Sequence, residues 1–223
     1  MTEKLTAIVK IIRPLNFLIT FISVILAVIL CQPRSTPELN VFLAAFAASC
    51  ALASGNILND IYDIDIDKIN KPFRPLPSGK IKIKNAYSLY LLLILFSIVL
   101  SFLVSEMTMI IVVISILLLF LYSKYLKRIP LVGNIIVAFL TGLVFIFGGV
   151  VVENPIAAIA PAVFAFLINL IREIVKDMED VEGDSRAGVT TFPIRFGFKN
   201  SRLLIVILTL LLILFTCFPF ITK

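Results

Sequence analysis

Two groups of carboxylates carry the chemistry open to this chain. The first lies in Asn56-Ile-Leu-Asn-Asp60-Ile-Tyr-Asp63-Ile-Asp65-Ile-Asp67. On a continuous helix, Asn56, Asp60, Asp63 and Asp67 fall at i, i+4, i+7 and i+11 and share one face. Asp65 lies off that stripe. The second group repeats the pattern: Asn169, Glu173, Asp177, Asp180 and Asp184 share a face, with Arg172 and Lys176 as a neighbouring basic pair. Carboxylates stacked one turn apart repel one another, so something must neutralise each stripe. Hard divalent cations do so through oxygen ligands. Mg²⁺ in particular keeps waters, takes one or two carboxylates and completes its shell with phosphate oxygens. Two facing stripes with two Mg²⁺ would hold a diphosphate between them, and adjacent basic residues would take the remaining phosphate oxygens.

Between the first stripe and the next apolar segment runs Lys68-Ile-Asn-Lys71-Pro72-Phe-Arg74-Pro75-Leu-Pro77-Ser78-Gly79-Lys80. Its prolines and glycine end the helix and fix a shaped loop. Such a loop, carrying Lys71, Arg74 and Lys80, reads as a lid or phosphate clamp rather than a linker. A structural turn at a membrane surface is the plainer alternative. Asp65, Glu179 and Glu182 read as surface acids paired with nearby Lys and Arg.

The elements that must position these residues are apolar. The 223 residues are 60% hydrophobic and 15% charged, with a mean hydropathy of +1.09. Apolar runs near bilayer-spanning length recur along the chain. Seven spans are expected: Leu15–Cys31, Val41–Leu58, Tyr87–Val104, Met107–Tyr122, Leu131–Val152, Ile156–Ile174 and Leu203–Ile221. An amphipathic stretch from Lys4 to Ile12 precedes them, and no cleavable signal peptide is expected. The fold class is thus an all-α transmembrane bundle. Cys31, Cys50 and Cys217 match no zinc or disulfide spacing and read as small buried hydrophobes. The chain has no histidine, which excludes a His base, a His-ligated haem and a His-bound zinc.

Charge fixes the expected orientation. Of the 20 Lys and Arg, only Arg34 and Lys223 fall on the odd-numbered side of the spans. The positive-inside rule places the N-terminus and the even connections in the cytoplasm. Of the 14 acids, all but Glu3, Glu38, Glu106 and Glu153 lie in the two windows, both on that side. The net charge of +6 suits an anionic membrane surface; no nucleic-acid partner is expected.

The segment NDIYDIDIDKINKPFRPLPSG, with its N-D-x-x-D-x-x-x-D pattern, resembles the first signature of the UbiA superfamily of intramembrane prenyltransferases. REIVKDMEDVEGD resembles the second. Their wording is closest to the branch typified by digeranylgeranylglyceryl phosphate synthases, and the resemblance runs from Arg13-Pro14 to Gly197. It implies an all-helical fold with a cavity capped by cytoplasmic loops. It implies Mg²⁺ on Asn56, Asp60, Asp63, Asp67, Asp177, Asp180 and Asp184, with the six aspartates as the catalytic set. It also implies a basic site after the fourth span, where YSKYLKR offers Tyr122, Lys124, Lys127 and Arg128. Asn16, Asn56, Arg74, Tyr122, Lys127, Arg172 and Lys176 are the expected substrate-binding residues. Members usually have nine spans, so this chain is expected to be a single membrane domain over residues 1–223 that lacks the last two.

The expected reaction is Mg²⁺-dependent prenyl transfer. Mg²⁺ with Arg74, Lys127 and Lys176 would stabilise the departing diphosphate, and the allylic carbon would become cation-like. Tyr62 and Tyr122 are candidates to shield it, although each could equally serve packing or an interfacial belt. The preferred donor and acceptor are geranylgeranyl diphosphate and geranylgeranylglyceryl phosphate, giving an ether lipid. An aromatic acceptor, as in quinone or chlorophyll-type synthesis, is the runner-up. A cation transporter would place its acids near mid-span, whereas these begin at span ends. A CDP-alcohol phosphotransferase would need an Asp-Gly…Ala-Arg…Gly…Asp…Asp pattern, which is absent.

Overall fold

The computed structural model describes residues 2–33, 38–186 and 188–221. Arg34 and Lys223, the two basic residues set apart by the charge argument, lie outside the described residues. The described residues form helices α1 (Thr2–Ile12), α2 (Pro14–Cys31), α3 (Leu39–Tyr62), α4 (Ile64–Asn70), α5 (Ile83–Val104) and α6 (Glu106–Lys124). A 3₁₀ turn (Leu126–Arg128) follows, then α7 (Val132–Val151), α8 (Ile159–Glu179), α9 (Val181–Arg186) and α10 (Phe192–Ile221). Six are long and apolar enough to cross a membrane: α2, α3, α5, α6, α7 and Phe192–Cys217 of α10. The protein is therefore all-helical and multi-pass. The expected span Ile156–Ile174 forms α8, but Arg172, Glu173, Lys176, Asp177 and Glu179 fill its last turns, which shortens its apolar run. The expected last span begins earlier than Leu203, because α10 starts at Phe192 and bends at Gly197, whose φ is 80°. A glycine tolerates that conformation without the Cβ clash of other residues.

The chain divides into two compact units, Met1–Lys124 with Val144–Ala158, and Tyr125–Leu143 with Ile159–Lys223. In the first, α3 is the central helix. Its buried face is built from small residues: Ala44, Ala45, Ala47, Ser49, Cys50, Ala51, Ala53, Ser54 and Gly55. In lipid, where apolar burial no longer drives helices together, small residues let backbones approach and hydroxyls bridge them. Accordingly Ser49 Oγ donates to the Phe17 carbonyl (3.1 Å) and Ser97 Oγ to the Ala47 carbonyl (2.7 Å). These bonds pin α3 to α2 and α5. At its far end, Ile57 and Ile61 pack with Ala7 and Ile11 of α1, Leu76 and Ile81 of the proline loop, and Ala86 of α5. That cluster holds the end of the first carboxylate stripe. Asn154 Nδ2 satisfies the Cys31 carbonyl at the end of α2 (3.0 Å). At the start of α6, Ser105 Oγ accepts from the Thr108 N–H and Thr108 Oγ1 from the Ser105 N–H, a reciprocal cap.

In the second unit, Ala138 of α7, Leu170 and Ile174 of α8, and Leu208 of α10 form one apolar cluster. A Cβ added at Gly142 would lie 2.8 Å from the Ala162 carbonyl oxygen, so α7 and α8 cross with backbones close. Outward-facing Leu, Ile and Phe on α2, α5, α6 and α10 are exposed, as lipid-facing surfaces require. Cys31 and Cys50 are buried as expected, whereas Cys217 is exposed, on the lipid-facing part of α10.

Gly148 tests the packing. A Cβ there would lie 2.5 Å from Ala27 Cβ and 3.1 Å from the Val24 carbonyl oxygen, whereas nothing lies within 4 Å of one at Gly183. Gly148→Val is expected to destabilise the protein by about 1–3 kcal/mol or more, the usual scale of overpacking, and Gly183→Ala is not. Thermal unfolding in detergent reads both; equal midpoints for the two variants would contradict the close α2–α7 packing.

Candidate active site

The first carboxylate group leaves the single continuous helix expected of it. α3 ends at Tyr62, Asp63 takes φ −96° and ψ 5°, and α4 resumes at Ile64. The hydrogen-bond ladder nevertheless survives, from the Asp63 N–H to Asn59 (2.9 Å) and from the Asp67 N–H to Asp63 (2.7 Å). The stripe therefore bends without losing its face. Asp60 and Asp67 are both buried, at 3% and 4% exposure. A buried carboxylate demands a partner, and two guanidinium groups supply it. Arg13 Nη2 reaches Asp60 Oδ1 at 2.5 Å, and Arg13 Nη1 reaches Asn56 Oδ1 at 3.4 Å. Arg74 Nη1 sits between two carboxylates, 3.2 Å from Asp60 Oδ1 and 2.7 Å from Asp67 Oδ2. Asp63 Oδ2 instead accepts from Asn59 Nδ2 at 2.9 Å.

Local sequence explains how these cations arrive. Pro14 disfavours the helical region for the residue before it, and Arg13 adopts φ 57° and ψ 74° between α1 and α2. This left-handed turn costs about 1–2 kcal/mol for a non-glycine residue and delivers the guanidinium to α3. Arg74 is carried back by the proline loop, where Ser78 Oγ donates to the Arg74 carbonyl (2.7 Å) and the Ile81 N–H to the Pro75 carbonyl (3.1 Å). The expected clamp is thus a fold-back of the loop onto its own carboxylates. Asp65 pairs with Lys68 at 2.7 Å, as a surface acid. Asn16 lies one turn after Arg13 on α2, half-buried; Tyr62 and Tyr122 are half-buried near the ends of α3 and α6.

The second group bends in the same manner. α8 ends at Glu179, α9 starts at Val181, and Asp180 lies between them. The Asp180 N–H still bonds the Lys176 carbonyl (3.0 Å) and the Asp184 N–H the Asp180 carbonyl (2.9 Å). Asp177 accepts from Asn134 Nδ2 of α7 through Oδ2 at 2.9 Å. Arg172 and Lys176, expected on substrate, flank buried Glu173 at 3.4 and 3.9 Å. Arg172 Nη1 also donates to Asn169 Oδ1 (3.1 Å), and Asn169 Nδ2 donates to Thr141 Oγ1. Asp180 is exposed and Asp184 half-buried. Lys127 stands in the 3₁₀ turn. Glu182 faces Arg186 at 3.9 Å, both largely exposed.

The donor sets suit a hard divalent cation. Among the described residues no three acidic, Cys or His side chains form a ready-made metal cluster. Mg²⁺ does not need one, because waters and phosphates complete its shell. In the first group, Asp60 and Asp67 already converge on one cationic nitrogen. In the second, Asp177 offers a carboxylate with one oxygen tied by a neutral amide. Spacing along the sequence revealed the stripes but not Arg13, Asn134 or Thr141. Arg13 carried a hint, a cation beside a proline at the mouth of the first span.

Burial pushes the Asp177 carboxyl up to about 6; the Asn134 hydrogen bond pulls it down, Asp184 and Glu173 raise it, and Lys176 lowers it. The folded chain thus holds a proton there that the unfolded chain releases near pH 4. Without metal, this group's contribution to stability falls as pH rises from about 4 through 6. Asp177→Asn is expected to stabilise the metal-free protein at pH 7.5 by about 1 kcal/mol, discounted for partial exposure, or roughly 2–4 °C in Tm. At pH 4.5 the difference should vanish. A difference independent of pH would refute this account.

The sequence model of the UbiA prenyltransferase family matches residues 20–222. A digeranylgeranylglyceryl phosphate synthase of Methanosphaera stadtmanae is 41% identical over 203 residues, 91% of this chain and 74% of its own length. That of Methanocaldococcus jannaschii is 40% identical over 225 residues, 99% of this chain and 78% of its own. A solved structure described as digeranylgeranylglyceryl phosphate synthase in membranes superposes with a TM-score of 0.83 at 40% identity, covering 99% of this chain and 79% of that one. A UbiA homologue from Archaeoglobus fulgidus, bound to DMAPP and Mg²⁺, shares the fold with a TM-score of 0.76 at 17% identity, over 96% and 78% of the two chains. With two bent carboxylate stripes at the ends of apolar helices and relatives of this similarity along nearly its whole length, the chain belongs to the UbiA prenyltransferase family.

Proposed function

We propose that this protein transfers a geranylgeranyl group from geranylgeranyl diphosphate to geranylgeranylglyceryl phosphate, with Mg²⁺ as cofactor, in ether-lipid biosynthesis. The observation that carries the acceptor is identity of about 40% to digeranylgeranylglyceryl phosphate synthases over 91% and 99% of this chain. The chemistry rests on the site. Asn56, Asp60, Asp63 and Asp67 form one Mg²⁺-binding set, and Asp177, Asp180 and Asp184 the other. Bound Mg²⁺ supplies Lewis-acid neutralisation of the departing diphosphate. Arg74, Lys127, Arg172 and Lys176 add positive charge where the leaving group gains negative charge, and Asn16 and Tyr122 line the substrate. The allylic C–O bond breaks, and the acceptor hydroxyl oxygen bonds to the freed carbon. Its proton passes to a carboxylate or to the departing diphosphate, since no histidine exists to take it. Apolar spans hold the prenyl chain and exclude water from the cation-like carbon. The N-terminus and both carboxylate groups face the cytoplasm, a reading supported by the distribution of Lys and Arg.

Purified protein in detergent, given geranylgeranyl diphosphate with either geranylgeranylglyceryl phosphate or an aromatic acid, tests this reading. Ether product is expected only with the lipid acceptor. EDTA should abolish it, and Asp63→Ala or Asp180→Ala should lower turnover about 10²-fold or more, the scale of losing one stabiliser of developing charge. Product from the aromatic acid alone would move the acceptor assignment. Absence of Mg²⁺-dependent diphosphate binding in folded protein would remove the prenyltransferase reading.

A further inference from the structure

The seam between the first half of α7 and α8 is zipped by alternating polar and apolar pairs. Asn134 meets Asp177 at one end, Ala138 packs in one cluster with Leu170 and Ile174, and Thr141 bonds Asn169 further along. Asn134 is the member nearest the chemistry, and its place is fixed. It is 8% exposed, in the first turn of α7, directly after Leu131, whose φ of 68° turns the chain into the helix. One turn on, Ala138 is fully buried; one turn back from Asp177, so is Ile174. The amide therefore cannot follow the carboxylate wherever it turns; the carboxylate is held to the amide.

We propose that Asn134 is a positioning residue for metal binding: its Nδ2–H occupies Asp177 Oδ2 at 2.9 Å and so orients Oδ1 for the cation. This rests on the assignment of Asp177 as a Mg²⁺ ligand. The choice of an amide is physically apt. A ligating carboxylate gains precision when its second oxygen is hydrogen-bonded, and loss of such a partner typically weakens metal binding 10–100-fold. A neutral donor orients the oxygen without adding a positive charge that would repel the metal. The first carboxylate group is arranged otherwise, because Arg13 and Arg74 bring full charges to Asp60 and Asp67.

The test uses the full chain in detergent with Mn²⁺ as a paramagnetic probe and inorganic pyrophosphate as an unreactive diphosphate. Bound Mn²⁺ is read by EPR and thermal stability in parallel, so the readout does not depend on turnover. Asn134→Ala should weaken the more affected Mn²⁺ site about 10-fold or more. Thr141→Val removes the other polar bond of the same seam and should leave Mn²⁺ binding at the wild-type level, even if its Tm falls as far. Asp177→Ala marks complete loss of this ligand. Asn134→Ser, which retracts the donor while keeping a polar group, should behave like Asn134→Ala and replaces it if that variant does not fold. Wild-type Mn²⁺ affinity in Asn134→Ala or Asn134→Ser, with loss in Asp177→Ala, would overturn the proposal and leave Asn134 a purely structural contact. Wild-type affinity in Asp177→Ala as well would overturn the ligand assignment beneath it.

Discussion

A carboxylate buried at the end of a membrane helix must be given a cation or a proton, and the architecture around α3 answers to that demand. Asp60 and Asp67 are nearly inaccessible, and an unpaired charge in such a place would cost several kcal/mol. The chain brings Arg13 from one side and Arg74 from the other. Both deliveries need unusual backbone: a left-handed residue ahead of Pro14 for the first, and a proline loop folded back on itself for the second. The left-handed turn is unfavourable by itself, and the Arg13–Asp60 ion pair offsets that cost.

The same demand explains the composition of α3. Its end must stay in register while carrying charge, so the rest of the helix is held by close backbone approach and hydroxyl bridges rather than by large interlocking side chains. Ser49 and Ser97 bond to carbonyls of neighbouring or facing helices, and Gly55 admits Leu119, whose side chain would lie 2.9 Å from an added Cβ. Apolar bulk is placed instead where α1, the loop and α5 meet Ile57 and Ile61. The packed cluster thus flanks Asp60 directly, through Ile57 one turn before it and Ile61 beside it.

The stripes were legible because side chains four, seven and eleven residues apart share a helix face whatever lies beyond. The helix breaks at Asp63 and Asp180 were not, since aspartate suits both a helix end and its interior face, and the hydrogen-bond ladder runs on through both. The expected span Ile156–Ile174 stopped short of the end of α8 at Glu179, because hydropathy falls where apolar residues give way to Arg172 and Glu173 while the helix runs on. Partners on other helices left no trace in spacing: Asn134 is 43 residues from Asp177, and Arg13 is 47 from Asp60. Each looked ordinary in its own neighbourhood, a polar residue after a glycine and a cation before a span. Only tertiary packing gives either one a carboxylate.

The two carboxylate groups have different neighbours, guanidinium groups at one and a neutral amide at the other, and under the proposed function this bears on how each would accept a metal. At Asp60 and Asp67 the neighbours are guanidinium groups, so under the proposed function a cation would exchange with contacts that exist, and the freed arginines would become donors for phosphate oxygens. At Asp177 the balance is unmet: burial, Asp184 and Glu173 outweigh the help from Asn134 and Lys176, and the carboxyl stands at about 6. There, under the proposed function, a cation would meet a carboxylate whose second oxygen is held by a neutral amide, and would compete with a proton as well as with the nearby charge of Lys176.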